Sequence, residues 1–240
     1  MKKRELKIFV DFDGTITLND VGDSIFTRFG EKEKVNPVID DLLTDRISSR
    51  ECWDLLCGLT PAIDKIELNE FIDSLNIDSS FHTLVSYCKE REIEIIVLSD
   101  GFDYYIRRIF RRENLTDLKF YANNLSLDDN RKLIPGYPYY NPDFPTSANC
   151  KRDHILDNSS DDDYTFYIGD GNSDKESAQY CDYIFAKDGL LKFCEKERIS
   201  FSPFNDFNDV IKKIDVLITK KKLRKSHQAE LKRRIAYLVE

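Results

Sequence analysis

The segment Leu6–Phe12 reads as a buried strand, and its end carries two carboxylates in the run Asp11-Phe12-Asp13-Gly14-Thr15. Alternate side chains of a strand point the same way. Asp11 and Asp13 therefore start on one side of the chain, and the turn at Gly14 splays them around a small volume. Like charges that close repel, so the pair calls for a cation or a shared proton. A divalent metal with hard oxygen ligands meets that need and equips the site for phosphate. Asp-x-Asp-Gly also occurs in ordinary turns, because Asp and Gly are turn formers. The residues downstream decide between the two.

The next comparable strand is Ile93–Leu98, and the pattern between the two is helical. Ser48-x-x-Glu51 matches a capping box that opens a helix through Trp53, Leu55 and Leu56, with Gly58 as its expected end. Thr60-Pro61 predicts an N-cap followed by proline at the first helical position. Ile63, Ile66, Leu68, Phe71, Ile72 and Leu75 follow at helical spacing. We read 17–77 as an inserted helical domain, with 1–16 and 78–240 as the core.

Asp78-Ser79-Ser80 caps the next helix, whose Phe81, Leu84, Val85 and Cys88 share one face. After Ile93–Leu98 comes an expected loop at Ser99-Asp100-Gly101, then a helix with Phe102, Tyr105, Ile106, Ile109 and Phe110. Lys119–Asp128 reads as a strand, 137–145 as a hairpin or loop, and Lys151–Leu156 as a short helix. Tyr164–Ile168 is a strand entering Gly169-Asp170-Gly171, and Tyr183–Ala186 is the last expected strand. This alternation predicts an α/β fold with a Rossmann-like parallel sheet. Ligands of such sheets bind outside the carboxyl ends of the strands, which here follow Phe12, Leu98 and Ile168.

Composition narrows the function classes. No apolar run approaches bilayer-spanning length. The basic start, Met1–Arg4, leads into a strand rather than a signal-type apolar region, so a cytoplasmic protein without membrane attachment is expected. The six cysteines (52, 57, 88, 150, 181 and 194) form no Cys-x-x-Cys pair and do not cluster with histidine, which argues against structural zinc. They read as small buried apolar residues. The net charge is −8, but residues 212–240 hold ten Lys or Arg against three Asp or Glu, a local +7 that leaves −15 for the rest. An acidic body disfavours nucleic acid. It still admits an anionic substrate where a metal and a lysine dominate the local field.

The basic tail reads as amphipathic helix, with Ile211, Ile214, Ile218, Leu231, Ile235 and Leu238 as an apolar stripe packed on the body or on a second copy. That leaves a monomer or a homodimer. Lys220–Lys225 is a solvated face or an attraction for an acidic partner. His82 and His154 read as surface or helix-packing residues, and Trp53 as core of the insertion. Arg46 and Arg50 are either solvated charges or readers of a substrate carboxylate.

Three polar clusters remain: Asp11 and Asp13, Ser99, and Asp170 and Asp174. Lys151 stands at a helix start before the last of them. Carboxylates, a hydroxyl and a lysine suit phosphoryl transfer, which needs positioning and charge neutralisation above all. Taken singly, Ser99 reads as a helix cap, Lys151 as a surface lysine, and Asp170 and Asp174 as a turn and a cap. Their order, each at a strand end or helix start, is what those readings leave unexplained.

Asp11-x-Asp13-Gly14-Thr15, the Ser99 turn, Lys151 and Gly169-Asp170-Gly171-x-x-Asp174 together resemble the four ordered motifs of the haloacid-dehalogenase (HAD) superfamily, over nearly the whole chain. An insertion between the first two motifs resembles the phosphoserine-phosphatase-like branch. Asp11–Thr17, Asn19-Asp20, Cys150-Lys151 and Phe185-Ala186-Lys187-Asp188 look most like the methionine-salvage enol-phosphate phosphatases of that branch. The resemblance implies a HAD-like core with a helical cap and the following roles. Asp11 attacks phosphorus and forms an aspartyl phosphate. Asp13 protonates the leaving oxygen and then deprotonates water. Mg²⁺ is bound by Asp11, the Asp13 carbonyl and Asp170, with Asp174 on the metal or its waters. Ser99, Gly101 and Lys151 bind the phosphoryl group. Asp20 and Arg50 are the candidate specificity residues.

The acid at Asp13 favours hydrolysis of an alkyl or enol phosphate. Three departures weigh against phosphoserine: Ser173 where asparagine is usual, charged Asp100 within Ser-x-Gly, and Asp20 in place of a longer acid. The expectation is a Mg²⁺-dependent phosphomonoesterase acting on a small phosphorylated metabolite of the methionine-salvage type. Phosphoserine or another small amine phosphate is the alternative substrate. A non-catalytic phosphate-binding or scaffold protein of the same fold is the alternative of another class.

Overall fold

The computed structural model describes residues 5–239; the basic start Met1–Arg4 lies outside them. In chain order the elements are β1 (Leu6–Asp11), α1 (Val21–Phe29), α2 (Lys32–Leu43), α3 (Ser49–Leu59), α4 (Lys65–Ser74), α5 (Ser80–Glu90), β2 (Glu94–Phe102), α6 (Asp103–Arg112), β3 (Lys119–Leu127), β4 (Leu133–Gly136), α7 (Lys151–Asp157), β5 (Tyr164–Gly169), β6 (Tyr183–Ala186), α8 (Asp188–Glu197), β7 (Ser202–Pro203), α9 (Phe207–Thr219) and α10 (His227–Val239). None of these helices is long and apolar enough to cross a membrane. The fold is α/β, as expected, with a mostly parallel sheet and helices α1–α4 inserted after β1.

The chain forms two compact units. Within the described residues, the first holds the chain up to Ile16, Ile77–Leu98 and everything from Lys151 on; the second holds Thr17–Asn76 and Ser99–Cys150. The second unit therefore adds 99–150 to the insertion read over 17–77.

In the first unit the strand order is β2-β1-β5-β6-β7, all parallel. β1 is central, with Phe9 opposite Ile96 of β2 on one side and Tyr167 of β5 on the other. Ile8, Phe9 and Val10 are fully buried, as befits a strand covered on both faces. The chain leaves β1 toward β2 and returns later to β5 on its other side. That reversal puts the switch point of the sheet at the carboxyl ends of β1 and β5, the position where open α/β sheets place ligands. The six cysteines are all buried, and none forms a disulfide.

The tail departs from expectation. It is two helices, α9 and α10. Ile214 of α9 is buried, and Phe207 packs on Phe81 with ring centroids 5.1 Å apart. On α10, however, Leu231, Ile235 and Leu238 are 50%, 52% and 79% exposed. The face turned inward carries Ala229, Arg233 and Ala236. Arg233 decides this: its Nε donates to the Tyr180 carbonyl at 3.0 Å and its Nη2 to Ser159 Oγ at 2.7 Å.

In the second unit β3 and β4 form an antiparallel hairpin, with β3 next to the end of β2. The loop expected at Ser99-Asp100-Gly101 is instead the last part of β2. The segment stays extended and buried because distant parts of the chain satisfy its polar groups. Trp53 Nε1 and Asn123 Nδ2 donate to the Asp100 carbonyl at 2.8 and 2.7 Å, and the Asp100 carboxylate accepts the Asn149 N–H at 2.7 Å. Trp53 is core, as read, packed between Phe26 and Phe102. Ser48 and Glu51 form the expected capping box.

Two boundaries differ. Helix α3 runs through Gly58 to Leu59: helical glycine lowers propensity but ends a helix only where it turns left-handed. The stop comes from Pro61, which holds Thr60 in extended geometry, φ −78° and ψ 128°. No helix starts at Pro61. Helix α4 starts at Lys65, with Asp64 as the cap accepting the Ile66 N–H at 2.8 Å.

Candidate active site

The site grows from two strand ends and one helix start, all in the first unit. Asp11 closes β1 and is buried. The turn after it is closed by the Ile16 N–H donating to the Phe12 carbonyl at 2.9 Å. Gly14 in that turn has φ +77°, and a Cβ there would stand 2.6 Å from Asp170 Oδ2. Glycine is needed for both reasons. Asp170 follows β5, and the Thr15 hydroxyl donates to its Oδ1 at 2.7 Å. Asp174 is fully buried in the 3-10 turn Asn172–Asp174. Gly169 leaves room for it, since a Cβ would fall 2.4 Å from Asp174 Oδ2.

Lys151, the first residue of α7, is also buried. Its ammonium donates to Asp11 Oδ1, to Asp174 Oδ1 at 2.7 Å and to Ser173 Oγ at 3.0 Å. The other Asp174 oxygen accepts the Asp170 and Gly171 N–H groups, each at 3.0 Å. Asp11, Asp170 and Asp174 present carboxylate oxygens within 4.8 Å of one another.

The electrostatics follow from that crowding. Burial, and then the charge of Asp174, push the carboxyls of Asp11 and Asp170 above the ordinary range. Burial works against the charge of Lys151, but Asp11 and Asp174 outweigh it and hold its pKa well above the usual lysine value. With all three acids ionised, the one ammonium would leave two negative charges unbalanced. Hard oxygen donors with that surplus fit a divalent cation, and Asp11, Asp170 and Asp174 are the residues able to hold one.

Of the expected residues, Asp11, Lys151, Asp170 and Asp174 come together. Asp13 is half-buried in the turn after β1. Ser99 and Gly101 belong to the second unit, where Ser99 is fully buried and its hydroxyl accepts the Gly101 N–H at 2.9 Å. In the same unit Asp20 caps α1 through the Asp23 N–H at 2.8 Å. The Arg50 guanidinium lies 5.3 and 4.5 Å from the ring centroids of Tyr137 and Tyr140. Sequence reasoning missed Thr15 and Tyr167. The Tyr167 hydroxyl donates to Asp174 Oδ1 at 2.6 Å. The available signal was a tyrosine in an apolar strand, whose hydroxyl needs a partner once buried.

The chain is similar to known proteins over most of its length. The family profile described as haloacid dehalogenase-like hydrolase matches residues 8–179. Pdp3-interacting factor 1 of Schizosaccharomyces pombe is 30% identical over 239 residues, covering 90% of this chain and 97% of the relative. A Bacillus cereus protein named 2-hydroxy-3-keto-5-methylthiopentenyl-1-phosphate phosphatase is 30% identical over 226 residues, covering 89% and 97%. Among solved structures, a phosphoserine phosphatase in a phospho-aspartyl intermediate analogue form aligns with a TM-score of 0.68 at 19% identity, over 88% of this chain and 99% of that one. At that identity the likeness is one of fold.

Proposed function

We propose a reaction from this premise: the chain belongs to the haloacid dehalogenase-like hydrolase family, and within it to the phosphatase type. The finer reading is a Mg²⁺-dependent phosphomonoesterase working through an aspartyl phosphate on Asp11. The observation that carries it is the cluster of Asp11, Asp170 and Asp174 around the buried Lys151 ammonium.

In this reading a bond forms from an Asp11 carboxylate oxygen to phosphorus while the phosphorus–leaving-oxygen bond breaks. Asp13 gives its proton to the leaving oxygen, then takes one from the water that hydrolyses the acyl phosphate. Lys151 holds Asp11 in line and offsets charge on the phosphoryl oxygens. Ser99 and Gly101, just beyond Leu98, the register partner of Asp11, are proposed to bind those oxygens too. A divalent cation held by Asp11 and Asp170, with the Asp13 carbonyl and Asp174 as further candidates, would neutralise charge between nucleophile and phosphate. Helices of the insertion are proposed as a specificity-setting cap, with Asp20 and Arg50 as its candidate readers.

The proposed substrate is a small phosphorylated metabolite of the methionine-salvage enol-phosphate type. Its support is the name of the Bacillus cereus relative and the motif resemblance in the sequence. Phosphoserine has the support of fold alone, against the departures at Ser173, Asp100 and Asp20.

The test is hydrolysis of an aryl phosphate with and without Mg²⁺ by the parent and by Asp11→Asn. Mg²⁺-dependent turnover in the parent and background turnover in the variant are expected. Equal inertness of both proteins favours the scaffold reading. A panel of small phosphorylated metabolites, including the enol phosphate and phosphoserine, then ranks substrates by kcat/KM.

A further inference from the structure

Tyr167 lies in β5 two residues before Gly169 and is fully buried. Its hydroxyl donates to Asp174 Oδ1, which also takes the Lys151 ammonium. The other oxygen of Asp174 takes the Asp170 and Gly171 N–H groups. A carboxylate offers about four lone-pair sites, and each of Asp174's sites faces a donor. Asp11 and Asp170 differ, because part of their capacity is taken up by a hydrogen bond between the two carboxyls themselves, which a cation would replace. The carboxylate of Asp170 has the Thr15 hydroxyl on Oδ1, and Asp11 has Lys151 on Oδ1.

We infer that Tyr167 is a positioning residue: its hydroxyl completes the set of donors that holds Asp174 away from direct coordination and leaves the cation to Asp11 and Asp170. The inference rests on the proposed phosphatase reading, which already puts the cation on Asp11 and Asp170, and adds the residue that keeps Asp174 off it. Three carboxylates within 4.8 Å of one another would otherwise all be drawn to a divalent ion. With a third anionic ligand the ion would be over-neutralised and have fewer open positions for phosphate and water. Lys151 would also lose one of its two acidic anchors. A neutral phenol suits this task, because it satisfies the carboxylate without adding a positive charge that would repel the metal.

The experiment is Tyr167→Phe, which keeps the ring and removes the donor. Mg²⁺ affinity is read by calorimetry without substrate, and kcat and KM on an aryl phosphate at saturating Mg²⁺. Partners of ligating groups typically shift affinity or activity by 10–100-fold. Here about 10-fold tighter Mg²⁺ binding is expected, with kcat about 10-fold lower and KM within roughly 2-fold. In an Asp174→Asn background, Y167F should leave Mg²⁺ affinity unchanged, because the two act as one unit.

Affinity and kcat both equal to the parent's, weaker Mg²⁺ binding, or an effect that persists without Asp174 would each overturn the inference. So would a Y167F chain that fails to fold, since the hydroxyl would then serve the fold. A parent that neither binds Mg²⁺ nor hydrolyses the ester overturns the phosphatase reading itself. Normal Mg²⁺-dependent turnover with an indifferent Y167F overturns the inference alone.

Discussion

Replacing Lys151 with methionine keeps the approximate volume of the side chain and removes the ammonium between Asp11 and Asp174. At 2.7 Å from Asp174 and an effective dielectric of ~20, that contact carries about 6 kcal/mol of Coulomb attraction. A second contact of the same kind runs to Asp11. Desolvation of buried ions costs several kcal/mol each and cancels much of this in the parent. In the variant the cost of burying the acids remains and the attraction is gone. Breaking a buried pair from one side costs roughly 3–5 kcal/mol. The acids also repel one another: at their outer separation of 4.8 Å each pair contributes roughly 3.5 kcal/mol at the same dielectric.

Protonation relieves that repulsion, and the Asp11 carboxyl, raised by burial and by Asp174, takes the proton readily. The loss is therefore largest at alkaline pH and in chelator. Urea unfolding followed by circular dichroism is the assay, because the chain's single tryptophan, Trp53, lies in the other unit. We expect K151M to lose about 3–5 kcal/mol near pH 8 in EDTA, less near pH 5, and less again in Mg²⁺. A loss under about 1 kcal/mol near pH 8 in EDTA, or one that is larger near pH 5, would refute the electrostatic account.

Gly14→Ala forces a Cβ at φ +77° to within 2.6 Å of Asp170 Oδ2. We expect about 1–3 kcal/mol of destabilisation from the backbone strain together with weaker Mg²⁺ binding in calorimetry; unchanged affinity would contradict the packing argument. The folded pKa of Asp11 lies well above the ordinary aspartate value of 3.8, so the group favours the folded state at low pH and loses that contribution as pH rises from 3.8 through the raised value. The metal-free parent should therefore lose ground to D11N as pH rises through that window, while Mg²⁺ stabilises the parent increasingly. Melts of both proteins between pH 4 and 8 check the sign, and a parent that gains on D11N as pH rises in chelator would count against it. Arg233→Met removes the buried donors to Tyr180 and Ser159. It should cost about 2–3 kcal/mol with kcat unchanged; a kcat loss in the folded variant would give the tail a role in the reaction.

Much of the architecture was legible because its causes are local. Strand β1 follows from an apolar run buried on both faces, and α3 from a capping box within four residues. The acids Asp11, Asp170 and Asp174 each stand at the end of an element recognisable on its own, and their order suggested one site. The end of α3 was misplaced because two adjacent stop signals competed, and proline restriction at Thr60 outweighed glycine at Gly58.

Other features have causes far away in the chain. The extension of β2 through Gly101 depends on Trp53, Asn123 and Asn149 supplying partners for Asp100. The outward stripe of α10 depends on Arg233 reaching Tyr180 and Ser159. The chain's order of residues already contained the chemical inventory of the site and the strand ends that display it, since spacing and propensity act over a few residues. Which donors meet which lone pairs, and so which acid stays free for a cation, was settled only when folding brought Tyr167, Lys151 and Asp174 within 3 Å contacts, because hydrogen bonds act at a range that sequence separation does not encode.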